Sequence, residues 1–290
     1  MTRHFAKLCD VRDWDDAELL RTIAEILPER DPATHVERKA WEFAMLALFL
    51  QDSGRMNEQT DALALGAGDE RIVFWLANRL GRVVATDIYG EGDFAGREAA
   101  PSMLEDPAAH APFPYREDRL EVRWMDARRL EFPDESFDVV FSLSSFEHFG
   151  GRDDVAAAAR ELGRVLRPGG HAFVVTECFV HRHPLNAAPV DLAVKLLTLG
   201  RKRRRAGLRS RAVVVEVFTP RELERLIVAP SGLELMQPLD VWLPRERRVN
   251  VTRTDRHGLH PESGDYWPHV LLKADRSLFT SVALPLRKPV

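Results

Sequence analysis

Ala62-Leu63-Ala64-Leu65-Gly66-Ala67-Gly68 decides the fold when read with three later stretches: Arg82-Val83-Val84-Ala85-Thr86-Asp87, Leu120-Glu121-Val122-Arg123-Trp124-Met125-Asp126 and Phe137-Asp138-Val139-Val140-Phe141-Ser142. Each is a short, nearly continuous apolar run that stops at a glycine or a polar residue, as a strand buried on both faces does. Between the first two, residues 71–80 form a mostly apolar segment of helical length that ends at Gly81. After the fourth, Asp153 or Asp154 is placed to cap a helix whose stripe is Val155, Ala159, Leu162, Val165 and Leu166. Arg167-Pro168-Gly169-Gly170 stops that helix, and residues 172–176 follow as a fifth strand. Strands alternating with helices define an α/β chain with a doubly wound, mostly parallel sheet.

The flanks extend this pattern. Upstream, a short helix is expected over residues 15–27, ended by Pro28. A second begins after Val36, with Trp41, Ala44, Met45, Leu48 and Phe49 on one face and Gly54 closing it. Residues 1–56 therefore read as an N-terminal helical extension and 57–290 as the main domain. Downstream, a helix is expected over 188–199, a strand over 212–217, and a helix over 219–227 with Thr219 as cap and Pro220 at its first position. A further strand is expected over 233–236, and residues 270–272 and 279–286 read as an antiparallel pair finishing the sheet.

Composition excludes several classes. At 45% hydrophobic and 30% charged residues the chain has the balance of a globular protein. Forty-one basic against 45 acidic side chains give a net charge of −4, which argues against a surface built to coat nucleic acid. Two cysteines, Cys9 and Cys178, cannot make a disulfide framework, so a reducing compartment is expected. Residues 1–16 lack the apolar core of a signal peptide, and the longest clean apolar run is 44–50, so a cytoplasmic location is expected.

In open α/β sheets ligands lie beyond the carboxyl ends of the strands, where strand order reverses. Four such ends carry glycine or polar residues here: 66–68, Asp87, Asp126 and Ser142. Asp87 follows Gly68 by 19 positions, the spacing at which an acid holds a ribose. A dinucleotide fingerprint would place a third glycine after Gly68, but Asp69, Glu70 and Arg71 stand there. Each carboxylate near a diphosphate costs about 3 kcal/mol at roughly 5 Å and an effective dielectric near 20. A cationic cofactor without phosphates escapes that penalty. The acids disfavour NAD and tolerate S-adenosylmethionine.

The motifs in order resemble the class I SAM-dependent methyltransferases. They are Leu63 to Gly68, Thr86-Asp87, Met125-Asp126-Ala127, Glu131 to Val140, Ser142 to Phe149, and Arg160-Glu161-Leu162 through Gly170. The resemblance spans residues 61–177 and implies a seven-stranded Rossmann-like sheet with the cofactor S-adenosyl-L-methionine (SAM) across its carboxyl edge. It assigns Gly66, Ala67 and Gly68 to the methionine moiety, Asp87 with Ile88 to the ribose, Asp126 and Ala127 to the adenine, and Ser142 and Leu143 to the pocket floor. Two positions depart from the family, which often has an acid where Ala64 stands and a glycine where Glu70 stands. Glu70 or Asp69 is then expected to replace the missing acid.

Methyl transfer needs positioning above all, and a general base when the acceptor is a hydroxyl or a protonated amine. Glu147 and His148 after strand four, and Glu177 after strand five, are the catalytic candidates. His181 and His183 form an H-x-H pair without a third ligand at a recognisable spacing, so no metal is expected. Residues 201–211 hold seven cations and no acid; without them the chain carries 34 basic and 45 acidic residues, a charge of −11. This local basic run, Arg201 to Arg211, suits an anionic carrier-linked acceptor or peripheral contact with an anionic membrane, and nucleic acid is not expected. Residues 178–217 are expected to form an acceptor-covering insertion. The full-length pattern, including Trp41-Glu42 and Phe279-Thr280-Ser281-Val282, loosely resembles bacterial methyltransferases of glycan assembly, which implies a sugar or sugar-phosphate hydroxyl as acceptor. The alternatives are a non-catalytic binding module on the same fold and an NAD(P)-dependent oxidoreductase.

Overall fold

The computed structural model describes residues 3–92, 96, 99–182, 216–249, 251–255, 258–261, 269–274 and 276–290. Five parallel strands form the heart of the sheet: β1 (Asp61–Leu65), β2 (Arg82–Asp87), β3 (Leu120–Trp124), β4 (Phe137–Leu143) and β5 (Leu166–His181). Their order is β3-β2-β1-β4-β5, so the chain winds one way from β1 and then the other from β4. The reversal lies between β1 and β4, which pair from Ala62 opposite Val139 to Ala64 opposite Phe141. That juncture fixes where the ligand crevice opens.

Five more strands follow: β6 (Glu234–Leu235), β7 (Val251–Asp255), β8 (Gly258–Pro261), β9 (Leu271–Ala274) and β10 (Ser277–Arg287). β10 runs antiparallel between β5 and β9, the expected finishing pair, and β7 and β8 extend the edge beyond it. The sheet thus has ten strands among the described residues rather than seven. β5 is also far longer than residues 172–176, because β10 pairs with it continuously from His171 to His181. The expected helix over 188–199, the basic run of 201–211 and most of the strand expected over 212–217 lie outside the described residues.

Alternation of side chains divides the core into two layers. Ala62, Ala64, Val83 and Ala85 face a layer built on α1 (Ala17–Ile26), α2 (Arg38–Asp52) and α3 (Arg71–Ala77). Leu63, Leu65, Val84 and Val140 face the other, beneath α5 (Arg152–Val165), while α4 (Ser102–Glu105) lies between β2 and β3 in the chain. Asp16 caps α1 by accepting the amide hydrogens of Glu18 and Leu19. The start of α5 differs from expectation. Its cap is Gly151, and Asp154 sits three residues in, accepting the Gly151 amide at 2.8 Å. Thr219 caps α6 (Pro220–Leu223) reciprocally with Glu222, as read from the sequence, and the segment continues as a π-helical turn over Glu224–Val228. α2 is buried on all sides from Ala40 to Leu50, so its polar N-terminal turn is held rigidly against the sheet's carboxyl edge.

Candidate active site

A cavity of about 790 Å³ opens at the carboxyl ends of β1 to β5. The glycine loop forms its base. Gly66 and Gly68 have φ of +64° and +48°, a region L side chains rarely adopt. A Cβ on Gly66 would fall 2.5 Å from the Cβ of Ser145, whose hydroxyl donates to the Gly66 carbonyl at 2.8 Å. The loop therefore packs directly against the turn after β4. Asp87, at the tip of β2, accepts the amide hydrogens of Gly68 at 2.8 Å and Ile88 at 2.7 Å. Burial nonetheless pushes its carboxyl upward. Ala67, Ile88, Asp126, Ala127 and Leu143 all line the same cavity.

Three expectations need correction. Ser142 is not among the lining residues: its hydroxyl is buried and donates to the Leu65 carbonyl at 2.9 Å, tying β4 to β1. Asp126 reaches the cavity but is bridged by Arg128, whose Nε and Nη2 donate to its carboxylate at 2.6–2.9 Å. That hydrogen bonding lowers its pKa. Of the two acids offered as a replacement at the loop, Glu70 faces the cavity and Asp69 pairs with His110 at 3.5 Å. Ala64 is buried in the core on the α2 side of the sheet.

A whole wall comes from α2, which the sequence reading did not assign to the site. Arg38, Lys39 and Glu42 line the cavity. Their spacing was the available signal, since i, i+3 and i, i+4 put Lys39 and Arg38 beside Glu42 on one helical face. Glu42, fully buried, accepts from Ser144 at 2.7 Å and Ser281 at 2.6 Å, while Lys39 reaches it at 3.3 Å. Burial opposes its charge, but Lys39, Arg38 and the two hydroxyls outweigh that and lower its pKa. Glu70 has Lys39 as its ion-pair partner, yet burial lifts its carboxyl to about 7.

Beyond Gly66 the cavity runs to the tips of β4 and β5. Glu147 is 3% exposed, accepts the Thr176 hydroxyl at 2.6 Å through Oε2, and has no partner for Oε1. Burial raises it to about 7. Glu177 pairs with Arg38 at 2.8 Å, and burial raises its pKa too. His148 is the more exposed neighbour, 3.6 Å from Glu216. A residue the sequence reading missed, His269, also lines this end; burial and nearby Arg38 depress it to about 4, so it is neutral near pH 7. It sits between β8 and β9 with no motif around it, and only its backbone pairing with Val36 and Arg38 brings it here. His183 lies outside the described residues.

Comparison with known proteins agrees with this geometry. A family model described as a methyltransferase domain matches residues 63–174, the stretch from β1 to within β5. Methyltransferase GfsG of Streptomyces halstedii is 28% identical over 67% of this chain and 66% of its own. Erythromycin 3''-O-methyltransferase of Saccharopolyspora erythraea is 28% identical over 68% of this chain and 62% of its own. The chain thus spans about two thirds of these relatives' length. A solved structure, the BH2331 protein of Bacillus halodurans C-125, shares the fold with a TM-score of 0.50 at 16% identity, over 84% of this chain and 99% of that one. The chain belongs to the class I SAM-dependent methyltransferases, and its cofactor is S-adenosylmethionine.

The site fits that cofactor chemically. Its lining holds eight Asp or Glu residues against three Arg or Lys, a setting that favours a cation over a diphosphate. Among the described residues no helix is long and apolar enough to cross a membrane.

Proposed function

We propose that this chain methylates a hydroxyl group of a small-molecule acceptor. The observation that carries this reading is Glu147: a buried carboxylate at the acceptor end, with one oxygen fixed by Thr176 and the other, Oε1, unpartnered and facing the same cavity as the glycine loop. In this reading Gly66, Ala67 and Gly68 let the backbone approach the cofactor. Asp87 takes the ribose hydroxyls with the lone pairs that Gly68 and Ile88 leave open. Asp126 and Ala127 flank the adenine, with Arg128 holding the carboxylate in place. Leu143 closes the floor and Glu70 faces the amino-acid end.

When bound, the cofactor supplies a methyl group on a positively charged sulfur, a leaving group that needs no acid. The protein's task is then to orient the acceptor oxygen and remove its proton. Glu147 Oε1 accepts that proton; Thr176 holds the carboxylate in one orientation, and Glu177 with Arg38 fixes the neighbouring wall. A hydroxyl suits this wall better than a phosphate, because Glu147, Glu177 and Glu216 line it and Arg38 is already paired. A sugar hydroxyl is the preferred acceptor. Residues 1–56, through α2, and the stretch 178–217 shape the acceptor end. The erythromycin and 27-O-demethylrifamycin SV methyltransferases among the relatives support a hydroxyl acceptor.

The test is release of S-adenosylhomocysteine over a panel of sugar and polyketide hydroxyl acceptors. Turnover should appear with at least one hydroxyl compound and fall about 10²–10⁴-fold in Glu147→Gln, with SAM affinity unchanged. Turnover confined to amine acceptors, or untouched by Glu147→Gln, contradicts the reading.

A further inference from the structure

Two opposite charges meet where the cavity passes over the tips of β1 and β4. Lys39, the second residue of α2, is the ion-pair partner of Glu70, lies 3.3 Å from Glu42, and donates to the Leu143 carbonyl at 3.1 Å. One ammonium group therefore joins α2, the end of β4 and the segment after the glycine loop. Glu70 precedes α3 but makes no capping bond to it, so the helix does not account for its orientation into the cavity.

Strand order says what such a pair can read. Asp126 and Asp87 stand over β3 and β2, while Lys39 and Glu70 stand over β4 and β1. Neighbouring strands are about 4.8 Å apart. A nucleoside held by its base and ribose at β3 and β2 thus extends its other end toward Lys39 and Glu70. We propose that these two side chains form the recognition site for the α-amino acid end of the cofactor, Lys39 for its carboxylate and Glu70 for its ammonium. This deepens the cofactor reading and rests on it. An α-amino acid carries the same two charges in reverse, so each protein charge exchanges one ion-pair partner for another and none is stranded. Glu42 makes the exchange tolerable. Held by Ser144 and Ser281, it keeps Lys39 anchored when Glu70 turns to the ammonium. Ala64 offers no carboxylate, which leaves Glu70 to supply it.

Titration calorimetry of the full chain with three probes tests this: SAM, its decarboxylated form, which keeps the ammonium, and 5′-methylthioadenosine, which has neither charge. Lys39→Met should weaken SAM at least tenfold and leave the other two within about threefold, while Lys39→Arg restores SAM. Glu70→Gln should weaken SAM and its decarboxylated form together and spare 5′-methylthioadenosine. Equal weakening of all three probes by Lys39→Met, or no change in any, overturns the assignment. Absence of binding of every probe to the unaltered chain would instead bring down the cofactor reading itself.

Discussion

The carboxylate of Asp87 accepts the amide hydrogen of Gly68 at 2.8 Å, joining the tip of β2 to the glycine loop 19 positions earlier in the chain. One side chain thereby sets the loop's shape and offers its remaining lone pairs to the cavity. Asp87→Ala removes both functions. SAM affinity should fall at least tenfold by calorimetry; an unchanged affinity would mean that the ribose is held elsewhere.

Gly66 tests the loop from the steric side. Gly66→Ala puts a methyl 2.5 Å from the Ser145 Cβ at a backbone φ of +64°. Strain of about 1–3 kcal/mol is expected, read as a lower midpoint in urea together with weakened SAM binding. A variant as stable as the parent would show that the turn after β4 yields freely.

Glu42 tests the α2 wall. It is fully buried with Lys39, Ser144 and Ser281 as partners. Glu42→Ala leaves Arg38 and Lys39 short of a counter-charge and should cost about 3–5 kcal/mol in chemical denaturation. Glu42→Gln, which keeps acceptor capacity for the two hydroxyls, should cost less. Equal losses would assign the effect to packing.

Glu147 predicts a pH dependence. Its folded pKa of about 7 lies above the ordinary 4.5, so between those values the folded chain holds more protons at this carboxyl than the unfolded one. Stability contributed here is therefore full below pH 4.5 and lost as pH rises through 7, by on the order of 2–3 kcal/mol. Glu70 titrates in the same direction, so the difference between the parent and Glu147→Gln isolates the effect. The parent curve should fall more steeply than the variant's from pH 5 to 8. Parallel curves would show that Glu147 is ionised throughout. Activity should rise over the same interval, since only the carboxylate can take a proton.

The parallel half of the fold was legible because each buried strand wrote itself as an apolar run with a polar end: β3 falls on residues 120–124 as read, and β1, β2 and β4 differ by one residue. The edge was not. β7 and β8 are short, and their pairing depends on distant partners rather than on local pattern. In the site, glycines and acids at strand ends were readable because spacing places them. Ser142 misled because its neighbour Leu143 reaches the cavity while its own hydroxyl turns inward to Leu65. Arg38, Lys39 and His269 arrive through packing of α2 and β9 on the sheet, and neither forms a motif with the glycine loop.

The central claim is that the acidic cleft over β1 to β4 takes a cationic nucleoside and rejects a diphosphate. Competitive calorimetry of S-adenosylhomocysteine, SAM and NAD on the full chain measures this directly. Micromolar binding of the two adenosyl amino acids with none of NAD is the expected result. Binding of NAD, with neither of the others able to displace it, would contradict it.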